Sequence, residues 1–438
     1  MHRLRLVALA VASVTLGVVV ACTGDDPILS PSANDGGAAD AFDERSGNEG
    51  GGPASLTGNV LATGTDGPLA NARVRIGDKI VATGGDGAFA FDDVPTPYDV
   101  DVVSPNGEKA TAYRGLTNRN PRLRVDVPLA GGTLGGTITG ASFPLPSNQR
   151  AVLFFNTGRY ANLRTFNVNE IPATGNYTLD VFWQGGESAY GIAGALIETV
   201  DVTGPTAFTA YGLRGDTAKN DGGTAATNIT LSPITSASMN GTVANAASFS
   251  FVQTSVYLTT NEVPEGIRVG MKTVVGGTFS LVTPVVTGAT MLVRTFGIKG
   301  TDSAIAVVRD LPAMSNAVVT LPVGAVGLSP PDNSVDVDKD SNFSWAFTDP
   351  SASSGTYELV VECASVKRVL TVYTTANSLK FPDLAPLAWV VPSKADCQWR
   401  VTTYPAIASL DEHVSALDVL AKGGPDSYTT AGKSFTTK

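Results

Sequence analysis

The side chains that could do chemistry in this 438-residue chain are few. Histidine occurs only as His2 and His413. His413 stands beside Glu412 and near Asp411, a setting in which an imidazole can serve as base for a serine hydroxyl. No Gly-x-Ser-x-Gly elbow is present to offer that serine, and a surface histidine satisfied by its neighbouring carboxylates is the simpler reading. Asp336, Asp338 and Asp340 alternate like the first oxygen donors of a twelve-residue calcium loop. The sixth position is Ser341, where the turn needs glycine, and the twelfth is Phe347, where a bidentate glutamate is needed. Paired carboxylates for glycoside hydrolysis require a cleft, whereas the acidic residues here fall mostly in turns, where Asp is favoured for backbone reasons. The expectation is a non-enzymatic chain with no catalytic residues, no metal site and no cofactor.

Recognition is better provided for than catalysis. Trp183, Trp389 and Trp399, with Tyr190 and Tyr211, have the side chains that stack on sugar rings. Trp183 comes just before Gln184-Gly185-Gly186, at a strand end ahead of a turn. Trp183, Tyr190 and Tyr211 therefore form the candidate carbohydrate-binding set, weighed against packing in a core or at a strand edge.

Composition bounds what can carry these residues. The chain is 43% hydrophobic and 16% charged. It is rich in Gly, Thr, Val and Ser, a mix that favours β structure with many turns. The length has room for about three or four domains. The net charge is −10 and nothing basic clusters, so nucleic acid is a poor partner.

The N-terminus sets the location. Arg3 and Arg5 precede an uncharged run from Leu6 to Ala21, too short to span a bilayer, which ends in Val19-Val20-Ala21-Cys22. This resembles the lipobox of bacterial lipoproteins. The resemblance implies removal of residues 1–21 and lipidation of Cys22, and Thr23 after the cysteine leans toward the outer membrane. Two or three acyl chains would hold the chain stably at a membrane. Loss of Arg3 and Arg5 leaves 28 basic against 40 acidic residues, a net charge of −12. Residues 22–54 follow as a tether. Asp25, Asp26, Asp35, Asp40, Asp43, Glu44 and Glu49 face only Arg45, and Gly50-Gly51-Gly52-Pro53 closes the stretch. Such a segment cannot bury enough apolar surface to order itself, and as a coil it spans roughly 30 Å. In an oxidising envelope the two other cysteines, Cys363 and Cys397, read as one disulfide.

The remainder reads as all-β: tandem β-sandwiches over 55–128, 129–232, 233–324 and 325–438, with one short helix near the C-terminus. In the first, Leu56, Gly58 and Val60 alternate along a strand, Asp66-Gly67-Pro68 turns into Ala72-Val74-Ile76, and Asp86-Gly87 turns into Phe89 and Phe91. The run Thr83-Gly84-Gly85-Asp86-Gly87-Ala88-Phe89-Ala90-Phe91-Asp92-Asp93-Val94-Pro95 resembles the hairpin signature of carboxypeptidase regulatory-like domains. Pro68-Leu69-Ala70-Asn71-Ala72-Arg73-Val74 resembles that family's opening. The resemblance implies a transthyretin-like sandwich that binds or spaces, with Phe89 and Phe91 in its core. Some relatives carry Lys–Asn isopeptide crosslinks, but Leu56–Leu61 holds no lysine.

The two middle modules resemble each other. Gly136-Thr137-Ile138-Thr139 recurs as Gly241-Thr242-Val243-Ala244, and Asn176-Tyr177-Thr178-Leu179 recurs as Gly277-Thr278-Phe279-Ser280, about one domain length on. In the last module, Phe343-Ser344-Trp345 followed by Tyr357-Glu358-Leu359-Val360-Val361 resembles a fibronectin type III-like sandwich. That resemblance makes the strands ending at Cys363 and starting at Cys397 antiparallel neighbours, close enough for a disulfide worth about 3–4 kcal/mol. Ile407, Leu410, Val414 and Leu417 then recur at helical spacing. Ser409 and Glu412 form a capping box and Lys422-Gly423-Gly424-Pro425 is a stop, so the spacing predicts a helix over 409–422 packed across the end of the sandwich. The expected role is a spacer or interaction scaffold on the membrane, with carbohydrate binding or adhesion as the alternative and a polysaccharide or an envelope protein as the partner.

Overall fold

The computed structural model describes residues 54–63, 67–127, 129–157, 161–166, 171–184, 188–219, 224–264, 266–347, 355–415, 427–430 and 432–438. The signal segment, Cys22 and the tether up to residue 53 lie outside the described residues, as do residues 416–422 of the expected helix. The described residues are all-β, with one short α-helix among them at Leu410–Ser415. Among the described residues no helix is long and apolar enough to cross a membrane.

The first sandwich has seven strands. One sheet runs Ala88–Val94, Ala54–Ala62, Arg122–Val125; the middle strand is antiparallel to the first and parallel to the last. The opposing strands run Lys79–Ala82, Arg73–Ile76, Tyr98–Val103, Lys109–Leu116, all antiparallel. Numbered in chain order within the sandwich, the sheets read 4-1-7 and 3-2-5-6. Alternation decides which side chains go in: Leu56 and Val60 from the first strand meet Phe89 and Phe91 from the fourth in one core.

The second and third sandwiches repeat this topology. In the second, Asn176–Gln184, Leu129–Thr139 and Thr224–Ala226 form the 4-1-7 sheet, facing Ala161–Phe166, Gln149–Asn156, Ser188–Asp201 and Gly204–Lys219. In the third, Thr278–Val285, Thr235–Ala244 and Asn316–Thr320 face Ile267–Thr273, Phe251–Thr259, Thr290–Lys299 and Asp302–Leu311. The repeated quartets at Gly136 and Gly241 fall on the two equivalent first strands.

A local device recurs with the topology. Gly87, Gly175 and Gly277 each have positive φ, and each stands two residues before an aromatic side chain: Phe89, Tyr177 and Phe279. Those rings sit opposite Gly58, Gly136 and Gly241 on the first strands. A Cβ on Gly58 would lie 2.6 Å from the Phe89 ring, and one on Gly241 would lie 2.2 Å from the Phe279 ring. Glycine is required at Gly58 and Gly241 because the ring occupies the space of a side chain; at Gly136 the Thr227 carbonyl, 2.0 Å from a Cβ, does so instead.

The last sandwich is built otherwise. Ala325–Ser329, Asn342–Phe347 and Ser378–Lys380 form one sheet. Arg368–Thr374, Thr356–Cys363, Asp396–Tyr404 and Lys433–Thr437 form the other. Trp345, Tyr357, Phe343 and Trp399 pack between them at ring separations of 5.2–5.6 Å.

The sandwiches are not strung like beads. Arg368–Thr374 of the last pairs in parallel with Lys109–Leu116 of the first, from Val369 opposite Lys109 to Thr374 opposite Arg114. Ser427–Thr429 pairs with Asp302–Leu311 of the third. One continuous 14-stranded sheet therefore crosses the first, third and last sandwiches. The second joins by packing. The outer face of its larger sheet, with Val152, Phe154, Leu196 and Phe208, merges into the same core as Met239, Val256 and Phe279 of the third. Ala151, Leu153 and Phe155 point the other way, into the second sandwich's own core. Both faces being covered explains the unbroken apolar run Ala151-Val152-Leu153-Phe154-Phe155.

Side chains lock the joint between the first and last sandwiches. Arg75 donates to the Asp383 carbonyl at 2.6 Å while its guanidinium pairs with the buried Asp101 carboxylate at 2.6 Å. Arg368 donates to the Gly107 carbonyl at 2.6 Å. The helix Leu410–Ser415 docks here too. Ser409 accepts from the Glu412 N–H at 3.1 Å, the expected half of a capping box, whereas Glu412 accepts from the Ala408 N–H at 3.0 Å in place of the Ser409 N–H. Leu410 and Val414, however, enter the core of the first sandwich rather than that of the last. The Asp411 carboxylate accepts the N–H groups of Thr117 and Asn118, both at 2.8 Å.

Candidate functional site

Trp183 is not a platform. Tyr177, Leu179, Val181 and Trp183 share the inward face of one strand, and Trp183 is 0% exposed in the core of the second sandwich. The two-residue period that buries Leu179 buries the indole as well. Tyr211 is also withdrawn, in the joint between the second and third sandwiches. Burial and the nearby Glu262 push its phenol far above the ordinary value. Trp389 and Trp399 are buried, donating to the carbonyls of Glu108 at 3.4 Å and Pro330 at 3.3 Å.

Tyr190 alone of the set faces solvent, at 64% exposure. It projects from the large sheet of the second sandwich beyond the area covered by the third. Its hydroxyl end lies over Gly215, where a Cβ would come within 2.3 Å of the phenol oxygen. Its exposure leaves the phenol within reach of a ligand, unlike the other aromatic side chains of the set.

His413 is spent on packing. Its ring lies 4.2 Å from that of Tyr373 and 6.3 Å from that of Tyr113, between the first and last sandwiches. Asp338 is spent on a turn: its carboxylate accepts from the Asp340 N–H at 3.0 Å and the Ser341 hydroxyl at 3.2 Å. The Asp340 N–H contributes most to holding that carboxyl below its usual range. Among the described residues no group of three or more His, Cys, Asp or Glu converges as a metal site. Cys363 and Cys397 are joined in a disulfide with Cα atoms 4.1 Å apart, next to the cross-strand pair Glu362–Gln398. An ion pair between the partly exposed Arg150 and the buried Glu198 spans neighbouring strands of the second sandwich. Burial raises the Glu198 carboxyl above its ordinary value despite the guanidinium beside it.

Among the described residues, open grooves lie beside the disulfide, of about 650 Å³, and on the third sandwich, of about 660 Å³. The second lies over the outer face of the 4-1-7 sheet and contains Asn240, Ser280 and Asn316. Sequence reading missed these residues. Their only signal was polar alternation along single strands, which says nothing about their meeting across three strands.

No protein-family model matches the chain, and no curated protein matches it. Several solved structures have some likeness. A fimbrial assembly protein from Parabacteroides distasonis is 11% identical, covering 50% of this chain and 95% of its own, with a TM-score of 0.19. The shaft pilin SpaA of Lactobacillus rhamnosus GG is 9% identical, covering 46% and 100%, with a TM-score of 0.14. The FN1–FN3 domains of chicken CNTN1 are 10% identical, covering 88% and 95%, with a TM-score of 0.15. At such scores the likenesses decide neither the arrangement of the sandwiches nor a role; the fold assignment rests on the strand pairing described above.

Proposed function

We propose that this chain is a non-enzymatic cell-envelope lipoprotein, a scaffold of β-sandwich modules that holds interaction surfaces at set positions. The observation that carries this is the 14-stranded sheet: three sandwiches share it and the second is packed onto them. A scaffold needs such fixed geometry, because modules on free linkers would present their faces in no set relation. The units are 55–128, 129–232, 233–324 and 325–438. The topology shared by the first three supports extending the likeness to carboxypeptidase regulatory-like domains from the first to its two neighbours. Val19-Val20-Ala21-Cys22 supports an anchor at Cys22, and Thr23 an outer-membrane location.

Labelled palmitate tests the anchor. The wild-type chain is expected to incorporate it and to sediment with membranes, and Cys22→Ser to do neither. Incorporation by Cys22→Ser would remove the lipoprotein reading and leave the scaffold reading in place.

Tyr190 favours a second reading, carbohydrate binding or adhesion, in which a polysaccharide is the partner. Trp183 and Tyr211 drop out of that site because both are buried.

A further inference from the structure

We infer that the groove on the third sandwich is a binding site for a neutral glycan, an inference that rests on the carbohydrate reading above and moves its centre from Tyr190 to the third sandwich. Its floor is the outer face of the sheet formed by Thr278–Val285, Thr235–Ala244 and Asn316–Thr320. Strand register sets the floor out in two rows. Asn240 lies opposite Ser280 on one side and Asn316 on the other. Two residues along, Thr242 lies opposite Thr278 and Val318. Neighbouring strands are about 4.8 Å apart, so each row is a line of side-chain tips at that spacing.

The chemistry of the rows selects the ligand. Asn240, Ser280 and Asn316 are exposed, and among the described residues their side chains make no hydrogen bond. Each carboxamide offers donors and an acceptor together, which suits a sugar hydroxyl, itself donor and acceptor. Among the described residues lining the groove Lys272 is the one that is charged, so they form no array of charges to match an anionic polymer. Val275 at 77% exposure and Val318 at 67% stand on the same surface. Apolar side chains of this kind can cover the C–H face of a sugar ring while the amides take its hydroxyls.

The corresponding face of the second sandwich exposes Leu129 and Phe182, and its polar side chains are arranged differently. There Thr137 donates to Asn176 at 3.2 Å, Thr139 to Thr230 at 3.3 Å and Thr133 to Asp180 at 3.4 Å. The backbone N–H of Thr137 is taken by Asn228 at 3.0 Å. On that face the polar side chains engage one another; in the third sandwich Thr278 donates to the Val275 carbonyl at 3.3 Å, while Asn240, Ser280 and Asn316 are exposed in a row.

The test is binding of the full chain, purified in mild detergent, to a printed array of neutral glycans. Dextran, mannan and xyloglucan in native affinity gels serve as soluble probes and polygalacturonate as the acidic control. The expected result is retention by at least one neutral glycan, weakened tenfold or more in Asn240→Ala/Asn316→Ala and unchanged in Tyr190→Ala. Both variants should melt with the wild type, since all three side chains are exposed. Retention lost in Tyr190→Ala but kept in the double variant would overturn the groove and leave the carbohydrate reading intact. No retention on any neutral glycan, or retention by polygalacturonate alone, would overturn both.

Discussion

The second and third sandwiches share seven strands, one topology and the same glycine–aromatic pairing, yet they use their surfaces in opposite ways. The second buries the outer face of its larger sheet against the third, with Val152, Phe154 and Leu196 in the joint, and ties up the polar side chains of its smaller sheet among themselves. The third receives that contact on one side, lends Asp302–Leu311 to the continuous sheet on another, and keeps a groove open on its smaller sheet. The fold is common and the role lies in how each face is furnished. One module spends its larger sheet on packing and pairs the polar side chains of its smaller one; the other leaves Asn240, Ser280 and Asn316 open to solvent.

That contrast has measurable consequences. Trp183→Ala should have the largest effect, about 3–5 kcal/mol of stability lost from the second sandwich, read as a lower urea midpoint. If the two modules differ as described, the Asn240–Asn316 groove should keep its binding under conditions where this variant stays folded. Gly241→Val should cost about 1–3 kcal/mol by overpacking, because the new side chain would meet the Phe279 ring and the Ala317 carbonyl, 2.7 Å from its Cβ. A neutral outcome would mean the pairing of ring and glycine is incidental.

Glu198 adds a pH signature confined to the second sandwich. Burial holds its native pKa above the ordinary carboxyl value of the unfolded chain. Between those two values the folded chain holds more protons than the unfolded chain, so the contribution of this group to stability falls as pH rises through the window and stays low above it. The stability of wild type relative to Glu198→Gln should accordingly decline as pH is raised from about 4. A relative stability that climbs instead would show that the pairing with Arg150 outweighs desolvation. The smallest effect belongs to Asn240→Ala/Asn316→Ala, whose unfolding should stay within about 0.5 kcal/mol of wild type, as expected for exposed side chains with no partners. A larger loss would mean that these amides support the sheet.

Much of the fold was legible because it is local. Alternation at Leu56, Gly58 and Val60 identified a strand and its buried face. Asp86-Gly87 marked a hairpin, and Ser409 with Glu412 marked a helix start. The site was much less legible. Trp183 looked like a platform because its type and its place before Gly185-Gly186 suit one. Yet it lies in phase with Tyr177, Leu179 and Val181, and that phase outweighed its position at a strand end. Tyr211 was lost to a joint that no local pattern announces. Asn240, Ser280 and Asn316 come from strands up to 76 residues apart, and only the register brings them into a row.

Residue order was enough to establish the β-rich composition, the turns, the helix cap and the shortage of catalytic groups, because each depends on neighbours within a few positions. Assembly was needed to establish that Lys109–Leu116 pairs with Arg368–Thr374, that Leu410 and Val414 fill the first sandwich's core instead of the last's, and that one sheet runs through three modules. A strand's period says which of its faces is apolar. It leaves open which of many equally suitable edges the strand will join, and that choice is settled by how the whole set of faces and edges can be covered at once.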